Sequence, residues 1–244
     1  MLVGFQHVAE KAGYSVIFNH VNNDPIQQQE ALQKLVQQGV MGIGLYPVDS
    51  DTVTGIDNLV RTHYPIVLVD QGHHRVGFAT WLSPAISMEH RQLGYYQAMR
   101  ERGIEVDETM ICRVEGYPTI NREPLVEWLS RENRPSAVFA ANDQIAIALY
   151  RAAATVGLHI PRDLSVIGFD NLDMTAHLDP PLTTVAQPFL EIGEQVANVL
   201  LSRIAGEKTQ QHHITLSPEL IYRDSCIALH ARNLSDATPQ QSTL

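Results

Sequence analysis

Ser136–Asn171 reads SAVFAANDQIAIALYRAAATVGLHIPRDLSVIGFDN, and its pattern is strand, helix, strand. Ser136–Ala141 is a short apolar run suited to a buried strand, and Asn142 follows with a side-chain oxygen able to cap a helix. Ile145, Ala148, Leu149, Ala152 and Val156 recur at helical spacing, Gly157 stops the helix, and Pro161 forbids its continuation. Leu164–Phe169 is a second apolar strand, ending in Asp170-Asn171. A strand, a crossover helix and a parallel strand form a right-handed βαβ unit. The carboxyl ends of both strands then share one sheet edge, where open α/β folds bind ligands. Asn142-Asp143 and Asp170-Asn171 sit at those ends and bring polar side chains to one mouth.

Outward from this unit, the alternation of strand and helix continues in both directions. On the amino-terminal side, residues 1–14 read as part of an amphipathic helix stopped by Gly13. Ser15–Asn19 is strand-like, Asp24-Pro25 opens a helix over Ile26–Gln38, and Gly39 closes it. Met41–Tyr46 and Pro65–Asp70 read as strands, with a helix over Asp49–His63 between them. Arg75–Ala79 and Thr109–Val114 follow as strands, with helices at Ser87–Arg102 and Asn121–Glu132. Beyond the central unit come a short strand at Thr183–Val185, a helix at Pro188–Ile204, and two late strands at His213–Leu216 and Glu219–Asp224. The tail from Asn233 is polar and expected to be disordered. Such alternation predicts parallel, doubly wound sheets.

Composition narrows the function. A chain of 244 residues can build two lobes with real cores, and 44% hydrophobic with 18% charged residues fits an ordinary globular protein. The formal net charge is −10, and the 17 basic residues are scattered, which argues against this chain gripping a phosphate backbone by itself. Neither a membrane span nor a signal peptide is read in the sequence. The two cysteines, Cys112 and Cys226, have no metal or redox spacing, which fits a reducing compartment. Gly42-Ile43-Gly44 begins a dinucleotide fingerprint, but Pro47 stands where the third glycine belongs. The adjacent pairs His73-His74 and His212-His213 point their rings to opposite faces of extended chain, so solvated histidines are the expectation and no metal is implied. No nucleophile–base or phosphate-binding motif is present, and neither an enzyme nor a cofactor is expected.

FAANDQIA with GLHIPRDLSVIGFDN, and PPLTTVAQPF at Pro180–Phe189, closely resemble the effector-binding domain of the lactose-repressor/galactose-repressor family. The ELIYR run at Glu219–Arg223 is similar to that family's ending. The resemblance implies a type I periplasmic-binding-protein-like fold: two lobes, each a parallel sheet flanked by helices. It places residues 1–71 and 188–215 in the amino-terminal lobe, residues 72–187 and 216–229 in the carboxyl-terminal lobe, and 230–244 in a polar tail. In the family a further strand precedes the first helix, and a strand and helix separate the VLVD strand from the GHRRIGF-like run. Here Val67–Gln71 passes directly into Gly72–Phe78, so the first lobe is expected to be incomplete.

The resemblance also implies a function. A sugar or sugar phosphate would bridge the lobes, and its different affinity for their open and closed states would shift an equilibrium felt by a DNA reader. It implies a cytoplasmic homodimer, with operator DNA bound through a helix-turn-helix that is not in this chain. Family ligand positions fall on Arg91, Asn142, Asp170 and Gln187, with Tyr117 near an aromatic platform, Asp70 at a first-lobe strand end, and Phe189 either stacking on ligand or packing at the hinge. Forked guanidinium donors, carboxylate acceptors and an apolar face are what a ring of hydroxyls requires. A helix cap would explain Asn142 equally well, and a turn would explain Asp170. A periplasmic sugar-binding protein of a transport system shares the fold and is the alternative, although the IPRDLSVIGFD wording favours the regulator.

Overall fold

Asp24 accepts hydrogen bonds from the backbone N–H groups of Ile26 (2.9 Å) and Gln27 (3.2 Å), using its side chain to satisfy donors that a helix leaves open at its start. Helix α2, Pro25–Gln37, begins there, after α1, Leu2–Lys11. Both end before a glycine in the left-handed region, Gly13 at φ 84° and Gly39 at φ 70°. The computed structural model describes residues 1–21, 24–45, 68, 70–82, 86–116, 121–207 and 214–229. The chain divides into two compact units. One gathers Met1–Leu59, Ser83–Ser87 and Gln187–Pro218; the other gathers Val60–Leu82, Met88–Ala186 and Glu219–Leu244.

The second unit is built on one six-stranded sheet of order β2-β1-β3-β4-β5-β6. Its strands are β1 Val76–Trp81, β2 Ile111–Val114, β3 Ala137–Ala140, β4 Ser165–Phe169, β5 Thr183–Ala186 and β6 Glu219–Ile221. The first five pair in parallel, and β6 runs antiparallel along the edge of β5. Helices α3 (Ile86–Glu101), α4 (Glu123–Leu129) and α5 (Asp143–Thr155) connect the parallel strands. Strands β3 and β4 are buried along their whole length, as a sheet covered on both faces demands.

Aromatic residues set the spacing of these layers. Phe78 stacks on Tyr95 of α3 with centroids 5.3 Å apart and meets Phe139 of β3 at 5.6 Å. The Tyr95 hydroxyl, deep in the core, donates to the Val76 carbonyl at 2.8 Å. Trp128 of α4 donates its indole N–H to the Thr109 carbonyl at 2.8 Å. A Cβ on Gly77 would lie 2.6 Å from the Trp128 ring, so the glycine admits that ring to the sheet.

In the first unit, α6 (Phe189–Ile204) packs along α1 at very short range. A Cβ on Gly4 would collide with the Leu190 carbonyl, and one on Gly193 with the Met1 carbonyl. Glycines at the crossing are what let the two backbones touch.

Several expected strands do not form. Ser15–Asn19, residues 41–45 and residues 214–216 belong to no strand. Apolar sequence alone does not make a strand; a neighbouring backbone must supply the ladder, and among the described residues none does. Of Pro65–Asp70, only Leu68 and Asp70 are described, and both are helical. Leu68 is fully buried in the core of the second unit. The expected helix at Asp49–His63, together with Tyr46, His212, His213 and the tail from Asn233, lies outside the described residues.

Candidate functional site

The carboxyl edge of β3 and β4 carries the candidate site, and its local structure follows from capping. The chain leaves β3 through Ala141, and Asn142, extended at φ −154° and ψ 172°, accepts the Ile145 N–H at 2.9 Å to start α5. Asn142 is therefore a helix cap in this structure, with its side chain at the mouth of the strand pair. At the end of β4 the chain turns through two non-glycine residues in the left-handed region, Asp170 at φ 114° and Asn171 at φ 53°. Such backbone is costly for residues with a Cβ and persists only where its surroundings hold it.

Arg91 ties these two strand ends together. Its guanidinium is 3% exposed. One terminal nitrogen donates to the Ala141 carbonyl, and the other pairs with Asp170 Oδ1 at 3.1 Å. The guanidinium carbon lies 3.9 Å from the centre of the Phe169 ring, a cation–π stack in a low-dielectric setting. The remaining nitrogen, Nε, is buried with no hydrogen-bond partner. A buried guanidinium is an uncommon arrangement unless its donors are used. The structure thus brings Arg91, Asn142 and Asp170 to one sheet edge.

A second layer lies beneath this edge. Asp143, wholly buried, turns away from the mouth and under β4. Its carboxylate accepts the Thr184 hydroxyl at 2.6 Å and the Leu172 N–H at 2.8 Å. Burial pushes its carboxyl up to about 6, with the charge of Asp170 acting the same way and hydrogen bonds from Thr184 and from the Leu172 and Phe169 backbone acting against it. Arg223 donates to Asn171 Oδ1 at 2.8 Å and to the Leu182 carbonyl at 2.7 Å, clasping the turn from the other side.

The other expected site residues are placed differently. Asp70 sits on a helical turn, half exposed, and pairs with Arg102 at 2.9 Å on the surface of the second unit. Its expected place at a strand end is corrected by that helical backbone. Gln187 and Phe189 belong to the first unit, where the Phe189 N–H donates to the Gln187 carbonyl at 2.8 Å as α6 begins. Tyr117 lies outside the described residues. His73, expected in solvent, is fully buried, its ring nitrogens 3.0 Å from the Ser136 hydroxyl and 3.0 Å from the Ile227 carbonyl. Two such partners offset the loss of water, whereas the neighbouring His74 is exposed as expected.

Sequence reading missed the roles of Phe169, Thr184 and Arg223, and placed Asp143 at the mouth instead of beneath it. Alternation along β4 was the available signal for Phe169: it sends Phe169 and Gly168 to opposite faces, leaving the glycine side open to Asp143. Among the described residues no cluster of three His, Cys, Asp or Glu could hold a metal. Burial pushes the thiol of Cys112 up to about 12 and that of Cys226 up to about 11, so both are protonated at neutral pH and poor nucleophiles. Among the described residues no helix is long and apolar enough to cross a membrane.

Residues 67–226 match the periplasmic binding protein-like domain. Over 246 residues, the chain is 30% identical to the HTH-type transcriptional repressor PurR of Klebsiella pneumoniae, covering 87% of this chain and 71% of that repressor. The chain belongs to the lactose/galactose-repressor family. A second family relative, the HTH-type transcriptional repressor CytR of Escherichia coli, is 37% identical over 175 residues, 71% of this chain and 51% of its own length. The chain thus spans about half the length of that curated relative. Among solved family structures, a LacI family transcriptional regulator from Enterococcus faecium with bound ribose superposes with a TM-score of 0.78 at 25% identity. That likeness covers 93% of this chain and 92% of the other. The edge strand β6 is formed by the first three residues of the ELIYR run.

Proposed function

We propose that this chain is the sugar-sensing and dimerising part of a cytoplasmic transcription regulator. In this reading Arg91, Asn142 and Asp170 contact a sugar or sugar phosphate effector, and a helix-turn-helix outside this chain reads operator DNA. The observation that carries it is the buried Arg91 guanidinium, packed over Phe169, paired with Asp170 and still holding one unpartnered N–H. A forked donor beside a carboxylate matches the vicinal hydroxyls of a sugar, one group donating and the other accepting. The bound ribose of the Enterococcus faecium regulator supports this ligand class. The names of the matched relatives are those of repressors, which favours a regulator over a transport protein or an enzyme.

The net charge of −10 supports assigning DNA contact to another part of the protein. An effector that binds one conformation better than another shifts the equilibrium by that difference in affinity, which is all the mechanism requires. Calorimetric titration of the chain with D-ribose and a panel of other sugars and sugar phosphates tests the proposal. Binding to one panel member, weakened at least tenfold in Arg91→Ala, is the expected result. Absence of heat with every member overturns it.

A further inference from the structure

We propose that Asp143 is the positioning residue of this site: buried beneath β4, it holds the left-handed Asp170–Asn171 turn in place and so sets where the Asp170 carboxylate stands against Arg91. The inference rests on the reading of Asp170 as an effector contact.

Three observations converge on it. First, room has been made for this carboxylate: a Cβ on Gly168 would collide with Asp143 Oδ1, and would lie 2.8 Å from Leu182 and 3.3 Å from the Thr184 hydroxyl. Second, two hydrogen bonds of Asp143 reach the turn past Asp170, one directly at Leu172 and one by way of Thr184 on β5. Its Oδ2 accepts the Leu172 N–H at 2.8 Å, and its Oδ1 accepts the Thr184 hydroxyl at 2.6 Å. That same Thr184 oxygen accepts the Asn171 N–H at 3.4 Å, so a short relay runs from Asp143 into the turn. Third, the turn needs holding, because Asp170 and Asn171 both have positive φ and neither is glycine.

Asp143 is not itself a group that could reach a ligand, since it is wholly buried on the far side of β4 from Phe169 and Arg91. It acts through Asp170. The charged groups around the turn are Asp170 and Arg91 at the mouth and Arg223, which grips the Asn171 amide. Of these, Asp170 adds to burial in disfavouring charge on Asp143. Protonation of Asp143 removes an anionic acceptor from the Leu172 and Thr184 bonds, which ties the set of the turn to proton uptake.

Amide hydrogen exchange on the full chain tests this without any ligand. In Asp143→Ala the Asn171 and Leu172 amides should exchange at least tenfold faster while β1 and β3 amides keep native rates. In Asp143→Asn, a shape match for the protonated acid, they should return to within about threefold of native. The Leu172 amide shift should titrate with pH in the native chain and stay flat in Asp143→Asn. Where Asp143→Ala fails to fold, Thr184→Val, which cuts the relay, should speed Asn171 exchange in the same way. Unchanged exchange at both amides, or equal acceleration across the whole sheet, overturns the proposal. Failure of every sugar to bind the native chain sinks the effector reading alone, while the exchange rates still judge the role of Asp143.

Discussion

Gly168 and Asp143 occupy complementary halves of one small space: the carboxylate of Asp143 lies where a side chain on residue 168 would begin. The pair joins the first turn of α5 to the carboxyl end of β4, one residue from the Phe169 ring under the Arg91 guanidinium. Stability and the candidate site therefore share a contact.

Gly168→Ala should destabilise the chain by about 2–3 kcal/mol, the usual cost of overpacking a rigid core, with a displaced buried carboxylate added to it. Urea unfolding followed by circular dichroism should show a lower midpoint at an unchanged slope.

Stability should fall as pH rises from about 4 to 6. Burial holds the Asp143 carboxyl up to about 6 in the folded chain, above its ordinary value of 3.8 when unfolded. Folding therefore takes up a proton in this window, and the stabilisation present below it is lost as pH passes the folded value, on the order of 2–3 kcal/mol. Thermal unfolding across pH 4–7 should show a shallower slope in Asp143→Asn than in the native chain.

Tyr95→Phe should cost about 1–2 kcal/mol. The hydroxyl donates to the Val76 carbonyl deep in the core, and its removal leaves that acceptor unpaired away from water. The Phe78–Tyr95 ring stack survives the change, so near-ultraviolet circular dichroism should keep its native form while the unfolding midpoint drops.

Gly193→Ala should loosen the α1–α6 pair, because the added methyl meets the Met1 carbonyl. Backbone has no rotamer to escape through, so the helices must separate. Hydrogen exchange should quicken in α1 and α6, while the sheet of the second unit keeps its native protection.

Legibility in the sequence followed the source of each signal. The βαβ unit over Ser136–Asn171 was readable because its cues are local: Asn142 as cap, Gly157 as stop at φ 75°, and apolar runs of strand length. Asp170 was placed at the mouth by the same local pattern, whereas Arg91 was reachable only through family motifs, since nothing local separates a buried guanidinium from a solvated one. The strands expected at Ser15–Asn19 and residues 41–45 failed because an apolar run states a preference, while a strand needs a partner elsewhere in the chain. His73 was misjudged for the same reason; its partners, Ser136 and Ile227, are 63 and 154 residues away.

By itself, the order of residues determined which segments of the second unit alternate between strand and helix, the cap and stop of α5, and which family the chain belongs to. Tertiary structure alone decided that Arg91 would be buried against Phe169, that Asp143 would lie beneath Gly168 and not at the mouth, and that Asp170 would stand in a left-handed turn. The division has a physical origin. Caps, stops and periodicity act over a few residues, whereas desolvation, ion pairing and the filling of a glycine's empty space exist only once distant segments have met.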